Sequence, residues 1–134
     1  VSLHPATLPR DRAAIEAAGI RLSDAYVIDD IPKHDLFITY FSSVIRWAIV
    51  VGKPVVNLDL YKLGMTVYED APGVRTVASF AEFQQHVREL VSSDDAFIRA
   101  VAQQVAVADD WGILDGRCTA RIVEEIDGGA TALP

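Results

Sequence analysis

At 134 residues the chain has the length of one domain, enough to bury a real core. Hydrophobic residues make up 51% of it and the mean hydropathy is +0.22, so either burial is extensive or part of the surface is an interface. A net charge of −7, with no basic stripe anywhere, excludes a nucleic-acid footprint. The single cysteine, Cys118, has no partner for an internal disulfide, and without a neighbouring histidine it reads as a reduced core residue rather than a nucleophile. No uncharged run approaches the length needed to span a bilayer, and no signal-peptide pattern is visible, which makes a cytoplasmic setting the default.

The chain opens on Val1-Ser2-Leu3, the end of a strand running into His4-Pro5, and a start in mid-strand suggests that sequence upstream is missing. Pro9 to Ala18 is predicted helical, with proline early and Ala14, Ile15 and Ala18 as its apolar stripe; Gly19 ends it. Ile20-Arg21-Leu22 is a short strand candidate. Ser23 and Asp24 are placed to cap a second short helix through Ile31, which Pro32 closes.

The most informative stretch follows. Leu36 to Tyr40 is uncharged and rich in β-branched and aromatic residues, as suits a strand covered on both faces. Ser42 or Ser43 is a good N-cap for a helix over Val44–Val51 that is apolar nearly all round and therefore buried. Gly52 falls at its C-cap, Pro54 cannot continue it, and Val55 to Leu58 resumes a strand, completing a compact βαβ unit.

The start of that helix has an unusual charge. Free amides at a helix N-terminus favour acidic neighbours, yet the first turn here holds no acid and carries Arg46. An anion seated among the Ser42 and Ser43 hydroxyls, the free amides and the guanidinium would explain the cation. The plainer alternative is that the serines only cap and that Arg46 pairs with Asp35 or Asp59.

Leu60 to Gly73 has loop composition with aromatic residues mixed in, and it follows the carboxyl end of the Val55–Leu58 strand, where open α/β sheets bind ligands. Val74 to Val77 is a short edge-like strand. Ser79-Phe80-Ala81-Glu82 is a capping box, and Phe80, Phe83, Val87, Leu90 and Val91 form the stripe of the helix behind it. Ser93 and Asp94 start another helix with Phe97, Ile98, Val101 and Val105 facing inward, and Asp109 to Gly112 breaks it. A last helix runs from about Asp115 to Ile126, ahead of a frayed tail at 128–134. Strands alternating with helices predict an α/β fold, a Rossmann-like parallel sheet with helices on both faces, over residues 1–127. His4, Ser42 and Asp59 each fall at or just past the carboxyl end of a predicted strand. His34, His86 and Cys118 lack metal-ligand spacing, and the acidic pairs Glu69-Asp70 and Asp109-Asp110 fit no calcium loop and read as solvated.

The order of these motifs resembles the C-terminal, donor-binding domain of GT-B glycosyltransferases. The resemblance rests on His4-Pro5 after a strand, Asp35-Leu36-Phe37-Ile38 before Ser42-Ser43 and a helix, and Gly52-Lys53-Pro54-Val55-Val56. The Ala81-Glu82-Phe83 helix and Asp115-Gly116-Arg117 leading into Arg121-Ile122 extend it to about residue 126. It is similar above all to the bacterial surface-polysaccharide group: capsule sialyl- and Kdo-transferases and the glycerophosphotransferases of teichoic acid synthesis. The resemblance implies half of a GT-B fold that binds the phosphates of a CMP-, CDP- or UDP-linked sugar or alcohol through His4, Ser42 and Ser43. Arg46 joins them from the dipole argument, and Tyr40, Asp59 and Tyr61 are further candidates for the base or sugar, against ordinary packing and turn roles. No cofactor or metal is called for and no catalytic residue is assigned.

Two departures matter. A GT-B enzyme works between two domains, its general base coming from the N-terminal one, so a missing domain or partner chain is implied; a homo-oligomer is compatible with this, as is peripheral attachment to the inner membrane through the rest of the protein. The family domain also has one more strand before the His-Pro strand, central in the 3-2-1-4-5-6 order and next to Leu36–Tyr40. Without it the first strand must pair with Leu36–Tyr40, or another chain must fill the gap. Other readings are a UDP-GlcNAc 2-epimerase-like domain, which needs acidic residues near the nucleotide, and a non-catalytic interaction module that kept the fold.

Overall fold

The computed structural model describes residues 1–4, 6–64 and 66–130. Pro5 of the His4-Pro5 motif and residues 131–134 of the predicted tail lie outside the described residues.

The central unit forms the expected strand, helix and strand. Ile38 and Trp47, expected to be covered, are nonetheless exposed, because the first strand lies at the sheet edge and the helix is buried on one side only. Strand β1 (Phe37–Thr39) leads into helix α3 (Ile45–Val50) and strand β2 (Val55–Leu58); strand β3 (Val74–Val77) completes an open parallel sheet of order β1-β2-β3. The register runs Phe37↔Val55 and Val55↔Val74, so successive β2 residues face opposite layers. Val55 packs with Ile45, Ala48 and Ile49 of α3, while Val56 joins Val77 and Leu90 of helix α4 (Phe80–Ser92) on the other face. The fold is therefore α/β and Rossmann-like, with helices on both faces of three parallel strands. Gly52 turns the chain from α3 into β2 at φ +69, a conformation glycine alone adopts freely, and a Cβ there would come within 2.8 Å of Val105 Cγ2.

The predicted caps of the two later helices are present. Ser79 Oγ accepts from the Glu82 amide at 3.2 Å, although the Glu82 carboxylate returns to the Ala78 amide rather than to that of Ser79. Ser93 Oγ accepts from Ala96 N at the start of helix α5 (Asp94–Val105). Far along α5, Gln104 is fully buried; its side-chain amide donates to the Lys53 carbonyl at 2.9 Å, tying the helix to the turn before β2.

Elsewhere the structure departs from expectation. Helix α1 (Pro9–Ala17) buries no residue, and the strand predicted at Ile20–Leu22 does not form: the N-terminal pairing contracts to one parallel bridge, Ser2 with Ser23. Helix α2 (Val27–Asp30) starts after Tyr26, with no side-chain cap from Ser23 or Asp24. Pro32 does not close it from outside but sits within a 3-10 turn, Ile31–Lys33, whose early position suits its fixed φ. The break predicted at Asp109–Gly112 is instead a one-turn helix α6 (Ala108–Trp111), and the last helix, α7 (Cys118–Ala130), starts later than predicted and runs through Gly128. Asp115 precedes α7, and its bonds from Arg121 Nη1 at 2.6 Å and then from Arg117 N at 2.9 Å lower its carboxyl below the usual range. Cys118 is exposed, not a core residue, because α7 begins there beyond the packed layers. No described helix is long and apolar enough to cross a membrane.

Candidate functional site

The site is an open cleft of about 580 Å³ along the outer side of β1. Val1 to His4, Ser23 and Leu36 to Ser42 line it, with Val27, Asp30, Ile31, His34 and Val44 completing the lining. The first strand thus does not pair with β1. Its single bridge goes to Ser23, and β1 is left at the edge of the sheet.

The loop that leaves β1 is built with care. Phe41 adopts φ +35, unusual for a residue with a side chain, and is held there by its amide, which donates to Asn57 Oδ1 at 2.9 Å. Asn57 is itself fully buried in β2, and its Nδ2 donates to Thr76 Oγ1 of β3 at 3.2 Å. One buried amide therefore braces the loop against both β2 and β3. The sequence carried the signal, a lone polar residue in the apolar run Val55-Val56-Asn57-Leu58, because a buried amide must find partners. Ser42 Oγ accepts from Val44 N at 3.2 Å, and its carbonyl accepts from the Tyr68 hydroxyl at 3.1 Å. Neither serine caps α3: the residue before the helix is Val44, which has no side-chain cap.

Of the predicted site residues, His4, Tyr40 and Ser42 line the cleft together. His4 is exposed, and its Nδ1 accepts from Ala6 N at 3.1 Å, which in the neutral ring leaves Nε2 as the donor. Tyr40 meets Tyr61 edge to face, ring centroids 5.5 Å apart, so Tyr61 stands just beyond the mouth, 77% exposed. Burial, then the neighbouring Tyr61 and Asp59, push the Tyr40 hydroxyl up, keeping it a neutral donor.

The other three are placed differently. Asp59 is buried and spends its carboxylate on the following turn, accepting from Leu63 N at 2.8 Å and Gly64 N at 3.1 Å. Ser43 is exposed and does not line the cleft. Arg46 pairs with neither Asp35 nor Asp59. Its Nε donates at 2.8 Å to the Trp111 carbonyl at the end of α6, where a cation is favoured. Trp111 in turn stacks on Tyr68, ring centroids 5.6 Å apart. That bond accounts for the guanidinium without an anion.

Two charged groups line the cleft: the Val1 ammonium, which donates to the Arg21 carbonyl at 2.8 Å, and Asp30, bonded to the Ser23 hydroxyl and to Lys33; the Ser23 bond and then Lys33 hold the Asp30 carboxyl below the usual range. Tyr40 and Ser42, past the carboxyl end of β1, mark the mouth. The mouth offers an imidazole and hydroxyl groups. Among the described residues no group of three or more His, Cys, Asp or Glu side chains is arranged to hold a metal.

Comparison with models of protein families, with curated proteins and with solved structures finds no match to this chain.

Proposed function

We propose that the chain is a donor-binding domain of the GT-B kind, acting in glycosyl or glycerophosphoryl transfer for surface polysaccharide synthesis, and that the mouth of the cleft receives the phosphates of a nucleotide-linked sugar or alcohol. The observation that carries this reading is the convergence of His4 and Ser42 on one cleft, Ser42 just past the carboxyl end of β1, the side on which parallel α/β sheets bind ligands. His4 Nε2 would donate a hydrogen bond to a phosphate oxygen while Nδ1 goes on accepting from Ala6 N. As the bond to the nucleotide breaks, that imidazole and the hydroxyls of Ser42 and Tyr40 would take up charge growing on the departing phosphate. Tyr61, exposed beside Tyr40, is placed to meet the base or sugar. The acceptor and its general base belong to the other half of such an enzyme.

The epimerase-like reading needs a free acid beside the nucleotide. Asp59 is committed to two backbone amides and Asp30 to Ser23 and Lys33, which disfavours it. The interaction-module reading is favoured by a different observation, the unpaired outer edge of β1.

Titration of the chain with CMP, CDP, UDP and CDP-glycerol, followed by amide chemical shifts, tests the proposal. Binding near 1 mM, about 4 kcal/mol, is expected for one half of a two-domain site, with shifts at His4, Tyr40 and Ser42. His4→Ala should weaken it about tenfold, the worth of one charge-assisted hydrogen bond. Absence of saturable shifts at about 10 mM nucleotide, tenfold above that constant, would overturn it.

A further inference from the structure

We propose that Tyr68 is a positioning residue for the cleft mouth: its hydroxyl fixes the peptide leaving Ser42 and so aims the Ser42 side chain at the bound group. The inference deepens the donor-binding reading and rests on it for the ligand, though not for the geometry.

Packing alone explains the Tyr68 ring but not its hydroxyl. Of the described residues from Leu60 to Asp70, Tyr68 alone is not exposed, and it packs against the core that holds Ile45, Ile49 and Ala71. The ring therefore seats the loop. The hydroxyl then reaches back 26 residues, donating to the Ser42 carbonyl at 3.1 Å. That carbonyl already accepts from Ile45 N at 3.1 Å, so the phenol does not rescue an orphaned acceptor. What a second donor on the same oxygen adds is direction: both lone pairs are taken, and the peptide plane is held against rotation.

Three bonds together orient Ser42. Asn57 holds the peptide before Phe41, Tyr68 holds the peptide after Ser42, and Val44 N donates to Ser42 Oγ at 3.2 Å. A serine hydroxyl has one hydrogen to give. Accepting from Val44 N leaves that hydrogen for a ligand in the cleft that Ser42 lines. Removing the phenol would free only the carboxyl side of Ser42, because Asn57 still holds the other.

The support continues behind Tyr68. Its ring stacks on Trp111, centroids 5.6 Å apart, and the Trp111 carbonyl accepts from Arg46 Nε at 2.8 Å. Burial pushes the Tyr68 hydroxyl up, and the charge of Arg46 offsets only part of this, so the group stays a protonated donor. Arg46, which the sequence puts forward as an anion contact, thus serves Ser42 through two intermediaries. It holds Trp111, Trp111 flanks Tyr68, and Tyr68 holds Ser42.

The test compares Tyr68→Phe with Ser42→Ala and with the double variant, each titrated with the tightest binder among CMP, CDP and UDP. Phenylalanine keeps the ring and its stack and loses only the hydroxyl. Ser42→Ala should weaken binding about tenfold, the worth of one hydrogen bond to a charged phosphate. Tyr68→Phe should weaken it about threefold by itself and not at all in the Ser42→Ala background, since a group that acts through Ser42 then has nothing left to position. An unchanged affinity, or the same loss in both backgrounds, would overturn the proposal.

Amide exchange reads the geometry without nucleotide. In Tyr68→Phe the Val44 amide should exchange at least about threefold faster, while those of Glu82 and Ala96, bonded to Ser79 and Ser93, keep their rates. Equal acceleration at all three would make Tyr68 a merely structural residue, and no acceleration at Val44 would show that its hydroxyl fixes nothing; either result overturns the proposal. If the unaltered chain binds no nucleotide, the donor-binding reading falls, and the Val44 exchange decides the positioning of Ser42 by itself.

Discussion

Replacing Asn57 by alanine probes the loop on which the cleft mouth depends. The side chain accepts from Phe41 N at 2.9 Å and donates to Thr76 Oγ1 at 3.2 Å, and it is fully buried. Losing two hydrogen bonds at about 1 kcal/mol each, and leaving the part-buried Phe41 amide without an acceptor for about 1 kcal/mol more, gives a cost of about 3 kcal/mol. Relief of the left-handed Phe41 backbone, of order 1 kcal/mol, lowers the net towards 2. With a urea slope of about 2 kcal/mol/M the midpoint should fall by about 1 M. Thr76→Val removes only the second bond, and because Thr76 is exposed it should cost at most about half as much. Amide shifts at Tyr40 and Ser42 should move in Asn57→Ala and stay in Thr76→Val. If the two variants lose equal stability, or if Asn57→Ala shifts the midpoint by less than about 0.3 M, Asn57 does not brace the loop.

Three more outcomes follow from packing and charge. In Gly73→Ala the new Cβ would lie 2.5 Å from Gln104 Oε1 and 2.8 Å from its Cβ and Cδ, so overpacking of about 1–3 kcal/mol should appear in thermal or urea melts. Ser93→Ala removes the α5 cap and should cost about 1 kcal/mol, read the same way; a neutral result would show that water replaces the hydroxyl. Burial, and then the charge of Arg75, hold the His86 imidazole below its ordinary value against the pull of Glu89. A depressed histidine binds its proton more readily when unfolded, so stability present above about pH 6.5 should decline as pH falls through the folded midpoint. Ring-proton titration should place that midpoint below about 6.5, and His86→Gln should flatten the decline; a midpoint above it refutes the sign.

The parts of the fold that could be read from sequence are those whose residues satisfy one another locally. The run from Leu36 to Leu58 announces strand, helix and strand because apolar period, Gly52 and Pro54 all agree, and Ser79 and Ser93 cap where their spacing places them. The first 35 residues were harder because little of them is buried: α1 hides no side chain, so its partners leave no apolar signature, and the Ile20–Leu22 strand has too little to pair with. At the site, the cluster of His4, Tyr40 and Ser42 follows from strand ends, which sequence shows. The partner of Arg46 does not, since Trp111 lies 65 residues away and the bond exists only once α3 and α6 meet. The same holds for Asp59, whose turn residues cannot be told from ligand-facing ones until the chain closes on them.

The Gln104 strut has a consequence for how the molecule opens. Its amide closes a span of 51 residues onto the Lys53 carbonyl in the buried interior, so α5 cannot lift away without stripping the entrance of β2 of its hydrogen bond. The rear helix and the sheet base should therefore detach in one cooperative event, and their slowest-exchanging amides should report a single opening free energy. Helix α1, which buries nothing, is free of that event and should exchange ahead of it. Fluctuations of the chain would then be concentrated at its amino-terminal side.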